Sequence, residues 1–261
     1  MSWLLEVDCV GKRFGRRGVL TSASLRAPEG AVIFLVGRGG AGKTTLLRIA
    51  TGFLEADSGY VRFDGATHLR PRLHRLARRG LFYLPDRDLL SDVFTVGQHM
   101  EAVRCQVCAG LSGVPDAEAA AQLDVTHLVD RRPRSLSSGE RRRAELALAL
   151  ARGPRCLLAD EPFRDLMPLD AERVGAALRV LAARGCAVVV TGHEVPSLFD
   201  VADRVTWCDS GTTLDLGTVA DAKAHWRFCR DYLGVFPSPR DVVPSNEDTG
   251  TSGAGPGAAR D

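Results

Sequence analysis

Gly37-Arg38-Gly39-Gly40-Ala41-Gly42-Lys43-Thr44 satisfies G-x-x-x-x-G-K-[ST] at every fixed position. The residues before it, Ala31 to Val36, are all apolar, which predicts a strand buried on both faces. After it, Leu46, Leu47, Ile49 and Ala50 open an apolar helix. Strand, glycine-rich loop and helix in that order supply the context the motif requires; a glycine-rich turn matching by chance is the alternative. Gly37, Gly39, Gly40 and Gly42 let the backbone wrap closely around phosphates, and the helix N-terminus favours negative charge. Lys43 is expected to reach the terminal phosphates as a compact charge. The Thr44 hydroxyl is expected to bind Mg²⁺, with Thr45 next in the same loop.

Composition adds weight to Lys43. Of 34 cationic side chains only three are lysine, at 12, 43 and 223, yet lysine is kept at this position. A planar guanidinium does not replace a small ammonium under a phosphate loop. Against 32 acidic residues the net charge is +2, which argues against a nucleic-acid binder relying on bulk positive charge. The 25% charged and 45% hydrophobic fractions fit a folded chain, and 261 residues suit one large domain or one with an inserted lobe. No apolar run approaches the roughly 20 residues a membrane span needs, and the N-terminus carries no secretory pattern. Seven scattered cysteines read as reduced thiols in a cytosolic protein. The lone C-x-x-C of Cys105 and Cys108 reads as helix packing, with metal or redox use as the alternative.

Outward from the loop, Leu5, Val7 and Cys9 alternate with polar neighbours, and Tyr60 to Phe63 runs into the Asp64-Gly65 turn. Leu81 to Leu84 is a short buried strand ended by Pro85. Residues 87–152 carry helical patterns. Strands return at Cys156 to Ala159 and Cys186 to Val190, with a helix over Ala171 to Arg184 between them, so the core sheet is parallel. The expected fold is α/β: a P-loop NTPase core, an N-terminal antiparallel β subdomain and an inserted helical lobe over 87–152. Together these make a domain over 1–235, and the Pro-, Ser- and Gly-rich residues 236–261 read as a disordered tail.

Arg155 to Pro162 is an apolar strand ending in two carboxylates. Asp160 is expected to hold the Mg²⁺ shell and Glu161 to polarise the attacking water; a helix cap with acidic first-turn residues is the alternative. His193 follows the strand Val188 to Thr191 at its C-terminal edge, where α/β sheets bind ligands. It is the third catalytic candidate with Glu161 and Lys43; chance placement is the alternative. Glu194 reads as a cap.

Leu136-Ser137-Ser138-Gly139-Glu140 precedes Asp160 by about 20 residues and resembles the LSGGQ signature of ATP-binding cassette (ABC) ATPases. With the phosphate loop, the apolar-Asp-Glu strand and the later strand-His in order, the chain resembles an ABC transporter nucleotide-binding subunit from about residue 3 to 234. Tyr232-Leu233-Gly234, Asp160-Glu-Pro-Phe163 and Thr191-Gly-His193-Glu194 are most similar to the lipopolysaccharide-export and branched-chain amino acid branch. The resemblance implies ATP as ligand and a head-to-tail dimer, homomeric or heteromeric, in which Ser137 and Gly139 of one subunit meet the γ-phosphate on the other. It also implies that Phe14 stacks on adenine; a core phenylalanine is the alternative.

Three positions depart from the pattern. Asp86 stands where the family has the Q-loop glutamine; it offers oxygen to Mg²⁺ but is one methylene shorter and charged. Met167 stands where the D-loop aspartate is expected, and an alignment through Leu169-Asp170 needs three extra residues. Ser138 replaces a signature glycine. Arg70 to Arg79 and 131–143 are arginine-rich; Arg141, Arg142 and Arg143 read as a solvated face or as contact with a membrane partner or anionic headgroups. The leading reading is an ATPase that energises a separate integral membrane transporter subunit, docked through the lobe after Asp86. It places the chain in the cytoplasm, on the inner face of the plasma membrane through its partner alone. A soluble ABC-type assembly ATPase and a regulatory nucleotide-binding module are the alternatives.

Overall fold

The computed structural model describes residues 3–87, 89–105, 113–192 and 198–234. The expected tail, His193, Glu194 and Cys108 lie outside these residues.

Ten strands form one sheet in the order β5-β4-β1-β2-β10-β9-β3-β8-β7-β6. β1 (Leu5–Phe14), β2 (Arg17–Ala27), β4 (Ser58–Phe63) and β5 (Ala66–His68) pair antiparallel at one end. At the other end β6 (Leu81–Leu84), β7 (Cys156–Ala159), β8 (Ala187–Gly192), β3 (Val32–Val36) and β9 (Arg204–Asp209) run parallel. β10 (Thr212–Thr218) turns back antiparallel on β9 and meets β2 at Thr212 and Ser22, which joins the two halves.

The unbroken apolar runs have a structural cause. Val32, Phe34 and Val36 of β3 face one core cluster, which they share with Val188, Val190, Leu157 and Leu146. Ile33 and Leu35 face a second, with Leu46, Leu47, Val189, Leu158 and Phe63. A strand between two packed layers has no solvent face to be polar on.

Helix α1 (Lys43–Ala50) follows β3, and α2 (Leu73–Arg78) precedes β6. Between β6 and β7 the described elements are helical: α3 (Val96–Cys105), α4 (Asp116–Gln122) and α5 (Ser138–Arg152), with single 3₁₀ turns at Thr126–Leu128 and Pro133–Ser135. Helix α6 (Pro168–Ala183) begins with Pro168 in its first turn and connects β7 to β8. The chain closes with α7 (Val219–Ala224) and α8 (Trp226–Phe228), the latter running into a π-helical turn at Cys229–Leu233.

Strand register positions the site. Leu84 pairs with Ala159, Ala159 with Val190, and Val36 with Gly192. The residues that follow these strands, Pro85–Asp86, Asp160–Glu161 and Gly37, therefore emerge side by side along the C-terminal edge of the parallel sheet.

Candidate nucleotide site

Gly42 caps α1 in the left-handed region at φ 111°, without a side-chain hydrogen bond to the first turn, so its amides stay available to an anion. Gly40 is also left-handed, at φ 77°. Gly37 is fixed by space instead: a Cβ there would collide with the Cys208 carbonyl. Gly39 has open space around it, and Thr45 is half-buried.

Lys43 is 5% exposed, and its Nζ donates to the carbonyl oxygens of Gly37 at 2.7 Å and Arg38 at 3.2 Å. Burial lowers its pKa, while Glu161, Cys208 and Asp160 nearby hold it up. The loop thus keeps its ammonium folded back on its own carbonyls, beside two carboxylates.

Asp160 is fully buried. Its Oδ1 accepts from the Thr191 hydroxyl at 2.6 Å and from the Thr44 hydroxyl at 3.2 Å. Its Oδ2 is buried and has no hydrogen-bond partner among the described residues. Desolvation raises the Asp160 pKa, opposed by the two threonine hydrogen bonds. An unpartnered carboxylate oxygen beside a threonine hydroxyl is a hard-oxygen donor set, so these residues fit Mg²⁺. The role of Thr191 is not visible in the motifs; its signal is a lone hydroxyl at the end of an all-apolar strand.

Glu161 occupies the left-handed region at φ 49°, a conformation that costs a non-glycine residue about 1 kcal/mol. Its N–H donates to the same Thr191 hydroxyl at 2.9 Å. Thr191 therefore clamps both acidic positions, and strain at Glu161 is a mark of sites where geometry matters more than stability.

The signature lies on α5. Ser137 is its cap in a reciprocal capping box: the Ser137 Oγ accepts from the Glu140 amide at 3.2 Å, and the Glu140 carboxylate accepts from the Ser137 amide at 2.8 Å. Among the described residues no hydrogen bond or ion pair joins Ser137 or Gly139 to residues 37–45. Both stand at the exposed start of a 15-residue helix. Phe14 is 50% exposed at the tip of the β1–β2 hairpin, which rules out the core alternative and leaves an open ring beside Lys12.

Asp86 lies near enough to Asp160 for its charge to help raise the Asp160 pKa. Its carboxylate pairs with Arg164 at 3.7 Å, and among the described residues no hydrogen bond or ion pair links it to Thr44 or Asp160. The arginine run needs a correction. Arg142 and Arg143 are not a solvated face; they are 6% and 7% exposed. Arg142 pairs with the buried Glu145 at 3.0 Å, and Arg143 with Asp170 at 3.1 Å while donating to the Leu123 and Asp124 carbonyls. Asp170 therefore sits in the first turn of α6, engaged by Arg143 and Arg173, while Met167 is 72% exposed.

The C-terminal turn reaches the loop from behind. Arg38 donates to the Asp231 carbonyl at 2.6 Å, and the half-buried Tyr232 hydroxyl, its pKa raised by burial, lies near the Gly37 backbone. Tyr232 stacks on Phe228, which meets Trp207 edge-on. Beside β6 lies an apolar groove of 690 Å³, lined by Phe53, Leu73, Phe82, Leu89 and Val103 and edged by Arg48, Arg87 and Arg152.

The family model described as ABC transporter matches residues 20–164. The lipopolysaccharide export system ATP-binding protein LptB of Haemophilus influenzae is 31% identical over 235 residues, covering 88% of this chain and 97% of the relative. The protein of the same name from Escherichia coli K12 is 32% identical over 234 residues, with the same coverage. The chain belongs to the ABC transporter family. Among solved structures, an ATP-binding cassette of an ABC transporter in its ADP conformation superposes with TM-score 0.75 at 22% identity, covering 90% of this chain and 100% of that one. A bacterial Atm1-family ABC exporter with ATP bound gives TM-score 0.74 at 22% identity, over 88% of this chain and 41% of that one. Both share the cassette fold. The chain is therefore an ABC-type ATP-binding and ATP-hydrolysing subunit, and the matching names support the transporter reading over the soluble assembly alternative. Among its described residues no helix is long and apolar enough to cross a membrane.

Proposed function

We propose that this ABC ATPase powers a transporter whose membrane-spanning part is a separate protein, and that two ATPase subunits close around ATP to do so. The observation that carries the reading is Asp160: a fully buried carboxylate with one oxygen held by Thr44 and Thr191 and the other without a partner. Leaving a charged oxygen so placed is costly unless a cation completes it. Thr44 and Asp160 would hold Mg²⁺, which when bound neutralises charge on the phosphates.

The chain's own residues divide the remaining work. Amides of Gly39, Gly40 and Gly42 and the α1 N-terminus hold the phosphate oxygens. Lys43 leaves its Gly37 and Arg38 carbonyls for the terminal phosphates. Phe14 stacks on the base. Glu161, locked by Thr191, accepts the proton of the attacking water, with His193, which follows Gly192 in the sequence, as the second catalytic group. Ser137 and Gly139 serve the nucleotide of the second subunit, consistent with their making no hydrogen bond, among the described residues, to their own chain's loop. The arginine-edged groove receives an apolar helix with an acidic residue from the membrane partner, which holds the subunit at the cytoplasmic face of the membrane.

Glu161→Gln tests the catalytic assignment. The variant is expected to bind ATP as tightly as the parent chain, dimerise on Mg²⁺-ATP, and release phosphate at least about 100-fold more slowly. Parent-like turnover in the variant overturns the role given to Glu161.

A further inference from the structure

We propose that Asp86 and Arg164 form a positioning ion pair that ties the catalytic turn to the signature helix. The inference rests on the ATPase reading of the site and replaces metal ligation as the task of Asp86. Arg164 ends the turn that begins at Glu161: its N–H donates to the Glu161 carbonyl at 3.1 Å, and its side chain pairs with Asp86 at 3.7 Å. The turn that carries Asp86 is gripped from its other side. Arg142, almost fully buried one helical turn beyond Gly139, donates to the Pro85 carbonyl at 2.8 Å and to the Asp86 carbonyl. Glu145, 2% exposed, fixes the Arg142 guanidinium in turn.

Contacts thus run from Glu161 through Arg164 and Asp86 to Arg142 on α5. Asp86, Arg164, Arg142 and Glu145 border a polar pocket of 260 Å³, which Asp165 and Ser138 also line. A glutamine at 86 would present no charge to Arg164. An aspartate does, and a carboxylate shared with a guanidinium has less to offer a metal. The Asp86 and Arg164 side chains are about one-third exposed, at 32% and 35%, so the pair adds little to stability. Its consequence is geometric: it sets where the Glu161 turn stands relative to the helix that meets the partner subunit's nucleotide.

Asp86→Asn, Arg164→Gln and the double variant of the full chain separate this from metal binding. Each single change is expected to lower kcat about fivefold, with KM for ATP and half-saturating Mg²⁺ within about twofold of the parent. The double variant is expected to lose no more than Arg164→Gln alone, since all three break the Asp86–Arg164 contact and the exposed Arg164–Asp165 pair at 3.6 Å is lost in both Arg164 variants. Additive losses overturn the proposal, as does a rise of about tenfold or more in the Mg²⁺ requirement of Asp86→Asn alone. Hydrogen exchange over residues 161–166, measured without nucleotide, tests the contact independently of turnover. Protection there is expected to fall about threefold, equally in the three variants, and unchanged protection overturns the proposal. A parent chain that releases no phosphate counts against the ATPase reading instead, and exchange still decides the ion pair.

Discussion

At the residue scale the site is organised around one unpaired oxygen. The carboxylate of Asp160 has its pKa raised by burial. A carboxyl whose folded pKa lies above its unfolded value is destabilising when ionised. That cost is complete above the folded pKa and disappears as the pH falls to the unfolded value, near 3.9. Asp160→Asn is therefore expected to melt at a higher temperature than the parent at pH 7 to 8 without nucleotide, and the difference should shrink as the pH is lowered. With Mg²⁺-ATP the order is expected to reverse, because the variant loses the metal oxygen. Thermal melts with and without Mg²⁺-ATP across that range check both signs. The motif residues Lys43, Thr44, Asp160 and Glu161 were legible in the sequence because fixed spacing around a strand and a helix leaves few folds to choose from. Thr191 was not, since its importance lies in reaching Asp160 and Glu161, 31 and 30 positions away, and pairing across strands leaves no local pattern.

At the element scale α5 does two jobs, and the sequence displayed one of them. The resemblance marked its start, Leu136 to Glu140, as the signature, and the capping box between Ser137 and Glu140 appears in the structure. Its arginines were misread because three consecutive cations suggest solvent, whereas the helix is wedged between the sheet and its neighbours. Two of the three point inward, toward Glu145 and Asp170. Arg142→Met removes the cation that pairs with the buried Glu145 and is expected to destabilise the chain by about 3–5 kcal/mol. The double variant Arg142→Met/Glu145→Leu is expected to recover part of that loss, because both charges of the pair are then gone. Urea unfolding of both measures the difference, and equal losses would show that the Arg142 bonds to the Pro85 and Asp86 carbonyls carry the effect instead. The expected strands at 81–84 and 156–159 match β6 and β7, since short apolar runs bounded by turn residues are among the clearest local signals. The link between the phosphate loop and the C-terminal turn, through Arg38 and Tyr232, was out of reach because nearly 200 residues separate the partners.

At the scale of the whole molecule, the sheet edge collects the nucleotide site, and the proposed function assigns two surfaces to other chains. One is the apolar groove lined by Phe53, Leu73, Phe82, Leu89 and Val103, with Arg87 at hand for an acidic residue of the membrane partner. Arg87→Glu is expected to weaken co-purification with that partner while the isolated chain binds ATP normally. Retention of the partner at parent level would move the docking site elsewhere. The other surface is the start of α5, where among the described residues Ser137 and Gly139 make no hydrogen bond to their own phosphate loop. A site split between two chains makes turnover a property of pairs. The rate of phosphate release from Mg²⁺-ATP, followed over a range of concentrations of the purified chain, tests this directly. Specific activity is expected to rise with concentration to a plateau, and Lys43→Ala is expected to remain at background throughout. Specific activity that is constant down to concentrations at which sedimentation shows only monomer would contradict the composite site.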